Sequence, residues 1–555
     1  MSARAARETE AQRDGGGAGY DVIVVGAGFS GLYLLHRLRE LGLRTLVLEE
    51  AEGVGGTWYW NRYPGARCDV PSLYYSYSFS PELEQEWEWS ERYPGQPELL
   101  RYLEHVADRF ALWPDIRLGT RVSAAHFDET AGRWRVRTAD GAELAATYCV
   151  MATGCLSRGK LPELPGLDDF AGPAFHTARW PHEGVDFTGQ HVGVIGTGSS
   201  GVQAIPRIAE QAARVTVFQR TPNFAVPAHN RPLDPAEQAA VKSRYAQVRA
   251  DARLSGFGPL DLPPEGGSGV RMPTESALEV DAEERERRYR RAWDEGTLVS
   301  FLTTFTDMLT DQRANDTAAD YVRARLRGLV DDPATAEALT PRGHPFGTKR
   351  PCLESGYYAA FNQPHVRLVD LRATPLTRIT PDGVATSDGE HPVDSLVFAT
   401  GFDAMTGALR SIDIRGRDGL ALRDKWADGP RTYLGVATAG FPNLFLMTGP
   451  GSPSVLTNMV VSIEQHVEWI TDFLARLTAD GTPLAEAEPD AEAAWSAHVD
   501  EVAAATLYPR ARSWYTGSNI PGKPHGFMPY AGGVTPYREK CDEVAARGYA
   551  GFRVE

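Results

Sequence analysis

Two stretches of the chain repeat one pattern of apolar and polar positions. In DVIVVGAGFSGLYLLHRLRELGLRTLVLEE, five residues reading as a buried strand run into Gly26, Gly28 and Gly31, followed by an amphipathic run to about Leu41 and a second apolar run ending at Glu49. A short apolar run bounded by glycine reads as a buried strand and apolar spacing of three and four as a helix, so the pattern predicts strand, turn, helix, strand. HVGVIGTGSSGVQAIPRIAEQAARVTVFQR repeats it, with a strand around Val192 to Ile195 and glycines at Gly196, Gly198 and Gly201. Glu49 and Gln219 each stand 18 residues after the third glycine of their unit. Two further apolar strands run into Ala-Thr-Gly, at Gly154 and Gly401, a way of closing a nucleotide-binding sheet. Because the second lies far beyond the second unit, the first domain is expected to break off near Gly154 and resume near Asp394, with the second domain inserted.

Between Pro227 and Pro345 the pattern changes to charged helices such as DAEERERRYRRAWDEG, with no strand signal. This stretch predicts a helical insertion, its charge run at Asp281 to Arg291 a solvated face. Ser255 to Gly269, rich in Gly and Pro, reads as a mobile loop. The expected organisation is a flexible tail (1–19), first domain (20–155), linker (156–182), second domain (183–227), helical insertion (228–344), second domain resumed (345–393) and first domain resumed (394–555).

The chemistry of the two turns follows from their residues. The first glycine makes a tight turn, the second admits a pyrophosphate to the backbone, the third lets helix pack on strand, and the helix N-terminus offers N–H donors and positive dipole. Glu49 is placed to accept both ribose hydroxyls, so the first unit is expected to hold FAD. The second has Gln219, Arg220 and Thr221 there; a carboxylate would repel a 2′-phosphate, whereas these residues offer charge and hydrogen bonds, so NADPH is expected. The lesser alternative for Arg220 is a solvated surface arginine. The expected fold is α/β, with two dinucleotide-binding (Rossmann-like) domains for FAD and NADPH and a helical insertion in the NADPH domain.

At 555 residues the chain is too long for one core, and its 42% hydrophobic and 23% charged content is that of a globular protein. A net charge of −16 argues against nucleic acid or an anionic membrane as partner, so phosphate binding must be local. The five cysteines are scattered without a CxxC pair, which excludes a disulfide scaffold, a zinc knuckle and a thioredoxin-like pair and fits a reducing cytoplasm; no metal is expected. The polar start reads as no signal peptide, and no apolar run is long enough to span a bilayer. A monomer is expected.

FAGPAFHTARWP, Phe170 to Pro181, fits neither a helix nor a strand, yet its Phe, Gly, His, Trp and Pro are set at fixed intervals. Phe170, Gly172, His176, Trp180 and Pro181 match FxGxxxHxxxWP, and Gly55 to Asp69 match GGxWxxxxYPGxxxD. On these residues the chain resembles the type I Baeyer–Villiger monooxygenases, flavoproteins that insert one oxygen atom of O2 beside a ketone carbonyl. The likeness runs from Tyr20 to the C-terminus and looks closest to the branch with phenylacetone and steroid monooxygenases, although Lys349-Arg350-Pro351-Cys352 is more like cyclohexanone-type members.

The resemblance implies that NADPH reduces FAD, that O2 then gives a flavin C4a-peroxide, and that the peroxide attacks a small to medium hydrophobic ketone to yield an ester or lactone, with sulfides oxidised as well. Arg350 matches the active-site arginine, a permanent cation suited to stabilising an anion without giving up a proton. Asp69 matches its carboxylate partner, and Lys349 a residue near the 2′-phosphate. Gly56, Thr57 and Trp58 are implied at FAD, and Thr197, Ser199 and Ser200 at NADPH. Trp514 matches a mobile-loop tryptophan over NADP. Pro453, Ser454, Val455, Leu456 and Met459 match substrate-pocket positions, although Leu456 and Met459 are equally ordinary core residues. Tyr59, Trp60 and Tyr63 either pack around the flavin or touch substrate. His176 and Trp180 either couple the two domains or simply pack the linker. An N- or S-oxygenating flavin monooxygenase, which needs no close arginine, and a redox sensor without turnover are the competing readings.

Overall fold

A computed structural model describes residues 19–254 and 273–555. The expected tail, save its last residue, and the Ser255 to Gly269 loop lie outside the described residues.

The apolar run Tyr20–Val25 sits at the middle of the first sheet, which is why it is apolar on both faces: Val22, Ile23 and Val24 are wholly buried. It pairs in parallel with Thr45–Leu48 on one side and Glu143–Met151 on the other. The sheet extends on one side to Ile116–Arg117 and on the other, through antiparallel Arg133–Thr138 and Val122–Asp128, to Asp413–Arg415, with Leu444–Leu446 joining beside Glu143–Met151. The first helix, Phe29–Glu40, packs on this sheet and against the long helix Met459–Asp480.

The second sheet is all parallel, in the order Val366–Asp370, Arg214–Gln219, His191–Ile195, Ser395–Phe398, Ala174–His176. Two expectations change here. The strand before the second Ala-Thr-Gly pairs with His191–Ile195 and not with the first sheet, so the return at 394 places one strand too many in the first domain. A strand running into Ala-Thr-Gly closes either sheet equally well, and only register distinguishes them. The stretch read as irregular linker also supplies an edge strand, Ala174–His176, paired with Leu396–Phe398. Three residues are too few for a period to show.

Helices Pro235–Lys242, Ala282–Glu295, Gln312–Arg327 and Pro333–Leu339 of the insertion each begin at an Asp whose side chain accepts a backbone N–H of the first turn. The insertion straddles both cores and is not confined to the second domain. Val241, Tyr245 and Val248 pack into the first core, whereas Tyr289, Trp293, Phe301 and Phe305 pack into the second. Helix Tyr245–Leu254 is pinned to the first domain by Arg249, whose Nε meets Glu84 at 2.7 Å with both side chains under a tenth exposed (8% and 7%). Arg249 also donates to Ser76 Oγ and the Tyr74 carbonyl. No helix among the described residues is long and apolar enough to cross a membrane.

Arg249→Met leaves Glu84 buried without its cation and is expected to cost about 3–5 kcal/mol in denaturant unfolding, with much of the loss recovered in Arg249→Met/Glu84→Leu.

Candidate active site

Both glycine turns open onto one cavity of about 880 Å³ between the two sheets. They are built alike. Gly26 and Gly196 sit at φ +110° and +113°, where a side chain is strained, and a Cβ on them would stand 2.5 and 2.4 Å from the carbonyl oxygens of Ala152 and Ala399. Those alanines open the two Ala-Thr-Gly segments. At Gly31 and Gly201 a Cβ would meet the carbonyls of Gly26 and Gly196 at 1.9 and 2.2 Å, so both helices lie directly on their turns. Helices Phe29–Glu40 and Ser199–Ala209 begin at Gly28 and Gly198 with no side chain capping their first N–H groups. Two sets of uncapped amides at the rim of one cavity are suited to two pyrophosphates.

Around the first turn, Gly56, Thr57 and Trp58 line the cavity, and a Cβ on Gly28 would stand 3.4 Å from Gly56 Cα. Glu49 is buried and accepts the backbone N–H groups of Ala27 at 2.7 Å and Ala51 at 2.8 Å; burial raises its pKa while these bonds pull the other way. Around the second turn, Thr197, Ser199 and Ser200 line the cavity, as do Arg220, Thr221 and Lys349. Gln219 does not. It is fully buried and donates to the Ala338 carbonyl at 2.8 Å, so the hydrogen bond expected from it goes to the insertion. Burial lowers the pKa of Lys349, and the Arg220 charge lowers it further; the same two causes act in the same order on Lys160. Arg220, Lys349 and Lys160 thus form one cationic corner in an acidic chain, the chemistry of a phosphate monoester site.

Arg350 and Asp69 meet as a bidentate pair, Nε to Oδ2 at 2.6 Å and Nη2 to Oδ1 at 2.8 Å, and Arg350 Nη1 donates to the Val455 carbonyl at 2.6 Å. The two side chains are only 19% and 23% exposed. Burial alone would lower the arginine's pKa, but the adjacent Asp69 outweighs it and the pKa is raised, so Arg350 stays charged at every working pH. Asn223 holds the backbone in place by donating to the Arg350 carbonyl at 2.9 Å.

Trp514 lines the cavity from a strap folded over it. Lys523, 4% exposed, donates to Asp403 Oδ1 at 2.6 Å and the Ala404 carbonyl at 2.8 Å; Asn519 Nδ2 donates to the Phe402 carbonyl at 2.8 Å, and Lys160 reaches the Asn519 carbonyl. The strap is therefore latched to the segment after the second Ala-Thr-Gly. Asn519 Oδ1, a buried polar atom of the cavity lining, has no partner within the described residues, which suits a polar ligand there.

Of the expected pocket residues, Val455 and Met459 line the cavity. Leu456 faces a separate space of about 200 Å³ beside it. Pro453 and Ser454 line neither, since Ser454 turns inward to the Thr448 carbonyl at 3.1 Å. Trp60 and Tyr63 line the cavity; Tyr59 instead packs on His182. None of Phe170, Gly172, His176, Trp180 and Pro181 reaches it. Trp180, 4% exposed, packs against Phe175 and Phe187 in the second core, and a Cβ on Gly172 would meet the Asp394 carbonyl at 2.2 Å. His176 Nδ1 accepts the Ala178 N–H at 3.0 Å and Nε2 faces the Lys160 carbonyl at 3.0 Å. This defines a neutral tautomer donating to Lys160, and burial lowers the pKa accordingly. The fingerprint thus staples the linker to the second sheet beside Lys160.

Sequence reasoning missed Lys160, Gln203, Asn223 and Lys523. One signal was present for two of them: the chain has only six lysines among its 57 basic residues, and Lys160, Lys349 and Lys523 gather here. A compact ammonium with rotatable donors suits a backbone carbonyl or a phosphate where a guanidinium fork does not fit.

A model of the family described as pyridine nucleotide-disulphide oxidoreductase matches residues 23–253. The cysteines, by contrast, are all free. The phenazine N-monooxygenase of Lysobacter antibioticus is 43% identical, covering 96% of both chains. The acetone monooxygenase (methyl acetate-forming) of Gordonia sp. is 41% identical, covering 96% of this chain and 98% of its own. Among solved structures, an oxidised steroid monooxygenase bound to NADP is 52% identical with a TM-score of 0.91, covering 97% of this chain and 99% of that one.

Lys523→Met removes the charged latch on the strap and leaves the Asn519 and Lys160 ties. Cleavage by chymotrypsin after Trp514 or Tyr515 is expected to accelerate about tenfold, as for loss of one charged hydrogen bond, with the melting temperature little changed.

Proposed function

Because the chain belongs to the flavin-dependent Baeyer–Villiger monooxygenases, we propose roles for its residues in the reaction of that family. The reaction is the NADPH- and O2-dependent conversion of a ketone to an ester or lactone. FAD, when bound, supplies the redox chemistry that activates O2, with NADPH as hydride source.

The observation that carries the reading is the bidentate Arg350–Asp69 pair in the wall shared by both nucleotide turns. Oxygen transfer to a ketone builds negative charge on the carbonyl oxygen, and a fixed cation in a dry site stabilises that charge without reorganising. Asp69 and the Val455 carbonyl hold three of the guanidinium's N–H groups and Tyr515 also bonds it, while the arginine still lines the cavity. Asp69 and the Val455 carbonyl orient Arg350, and its raised pKa keeps it from acting as a proton donor. The strap with Trp514 excludes water from the site.

In the FAD role stand Gly26, Gly28, Gly31, Glu49, Gly56, Thr57, Trp58 and Asp69. The NADPH role falls to Gly196, Thr197, Gly198, Ser199, Ser200, Gly201, Arg220, Thr221 and Lys349, joined by Lys160 and by Trp514 in the strap. Val455 and Met459 face substrate. Two dinucleotides claim most of the cavity, so the remaining space suits a small to medium hydrophobic ketone, and sulfides fit the same space. Free cysteines fit a reducing cytoplasm, and a monomer is the proposed state. The likeness to a phenazine N-monooxygenase carries a second reading, oxygenation of an aromatic nitrogen in the same cavity.

Arg350→Ala is expected to retain bound flavin and its reduction by NADPH while ester formation from a ketone falls about 10²–10³-fold; ester formation at the wild-type rate would remove Arg350 from the chemistry. Gly31→Ala, whose Cβ has no room, is expected to yield colourless protein. Gly201→Ala is expected to keep the flavin but lose rapid reduction by NADPH, which stopped-flow absorbance separates.

A further inference from the structure

The fifteen residues from Gly55 to Asp69 touch three parts of the site that are far apart in sequence. At one end a Cβ on Gly56 would stand 3.0 Å from Gly28 Cα, in the first glycine turn. At the other end Asp69 holds Arg350. The middle packs on helix Ser199–Ala209, with its hydrogen bonds gathered chiefly on the side chain of Gln203. Tyr63 Oη donates to Gln203 Oε1 at 2.8 Å, Gln203 Nε2 donates to the Arg67 carbonyl at 3.1 Å, and the Arg67 backbone N–H approaches Gln203 Oε1 at 3.4 Å. The backbones themselves are in contact, since a Cβ on Gly65, at φ +81°, would stand 2.4 Å from the Gln203 carbonyl oxygen. Arg67 is tied down in turn, its Nη1 donating to Glu91 Oε2 at 3.1 Å and the Tyr93 carbonyl at 2.9 Å.

This contact has a mechanical consequence. Gln203 lies one helical turn after Ser199, so whatever fixes Gln203 fixes the uncapped amides of the second turn. Arg67 lies two residues before Asp69, so the same amide group also fixes the carboxylate that orients Arg350. Tyr63 is buried, and burial raises its pKa to about 12, which keeps it a hydrogen-bond donor at working pH. A helix packed on another domain slides most easily along its axis, and two hydrogen bonds of opposite polarity to one primary amide resist that sliding in both directions.

We propose that Gln203 is a positioning residue that sets the register of the NADPH-binding helix against the segment carrying Asp69, and so the placement of the nicotinamide relative to the flavin. The proposal rests on the assignment of the two glycine turns to FAD and NADPH. Reactions between oriented partners lose rate steeply with misplacement of even 1 Å, so loosening this amide acts on hydride transfer more than on binding.

The test uses FAD-loaded Gln203→Leu, Tyr63→Phe and the double variant. Three readouts are taken: anaerobic flavin reduction at saturating NADPH, NADP+ affinity of the oxidised protein by fluorescence titration, and amide hydrogen exchange across residues 199–209. Gln203→Leu is expected to slow reduction about tenfold, with NADP+ affinity changed less than about threefold and exchange in the helix faster. Tyr63→Phe is expected to slow it a few-fold, and the double variant no more than Gln203→Leu, because both remove one linkage. Should Gln203→Leu fail to fold, Tyr63→Phe, which deletes one hydroxyl, carries the test through reduction and exchange. Wild-type reduction by Gln203→Leu, effects that multiply in the double variant, or a lower melting temperature without slower reduction would overturn the proposal. Ester formation by the wild type is scored separately, so failure of the oxygenation reading and failure of this one remain distinct.

Discussion

The site depends on one ion pair between residues 281 apart in sequence, Arg350 and Asp69. Asp69 follows the segment packed on the first glycine turn, and Arg350 follows the insertion and precedes the strand Cys352–Glu354. The pair forms only when both sheets and the insertion are in place, so the arginine reports the closed assembly of two domains. Its low exposure matters in the same way. In bulk water a guanidinium and a carboxylate attract weakly, but in a half-buried cleft the same geometry is strongly held and a disordered alternative costs desolvation without a partner.

Around that pair the molecule repeats one device twice and then breaks the symmetry where chemistry requires it. Both turns use a left-handed glycine against an Ala-Thr-Gly carbonyl and a helix seated on the turn. The first adds a buried carboxylate, Glu49, and the second a corner of Arg220, Lys349 and Lys160. The two sites therefore differ in charge while sharing backbone geometry, and the second gathers positive charge locally in a chain of net charge −16.

What could be read in the sequence follows from what is local. Glycine spacing, strand runs and the acid at the end of the second strand are properties of some thirty consecutive residues, and the turns form as those residues require. The sheet to which Ser395–Phe398 belongs is a matter of register between distant segments, and its sequence is compatible with either sheet. Gln203 and Asn223 are ordinary polar residues whose roles exist only through partners over a hundred residues away. The fingerprint around His176 pointed to the right family, yet its side chains serve the linker's attachment to the second sheet and the carbonyl of Lys160, one layer away from the cavity. Spacing identified the segment; its distance from the chemistry was visible only in three dimensions.

The strap, the cationic corner and Arg350 are compatible with oxygen transfer to a ketone carbonyl. The most direct measurement is turnover of a simple methyl ketone with NADPH under 18O2, with mass analysis of the organic product. The account predicts an ester carrying one 18O atom for each NADPH consumed. An unlabelled product, or NADPH consumption that ends entirely in hydrogen peroxide with every ketone tried, would contradict it.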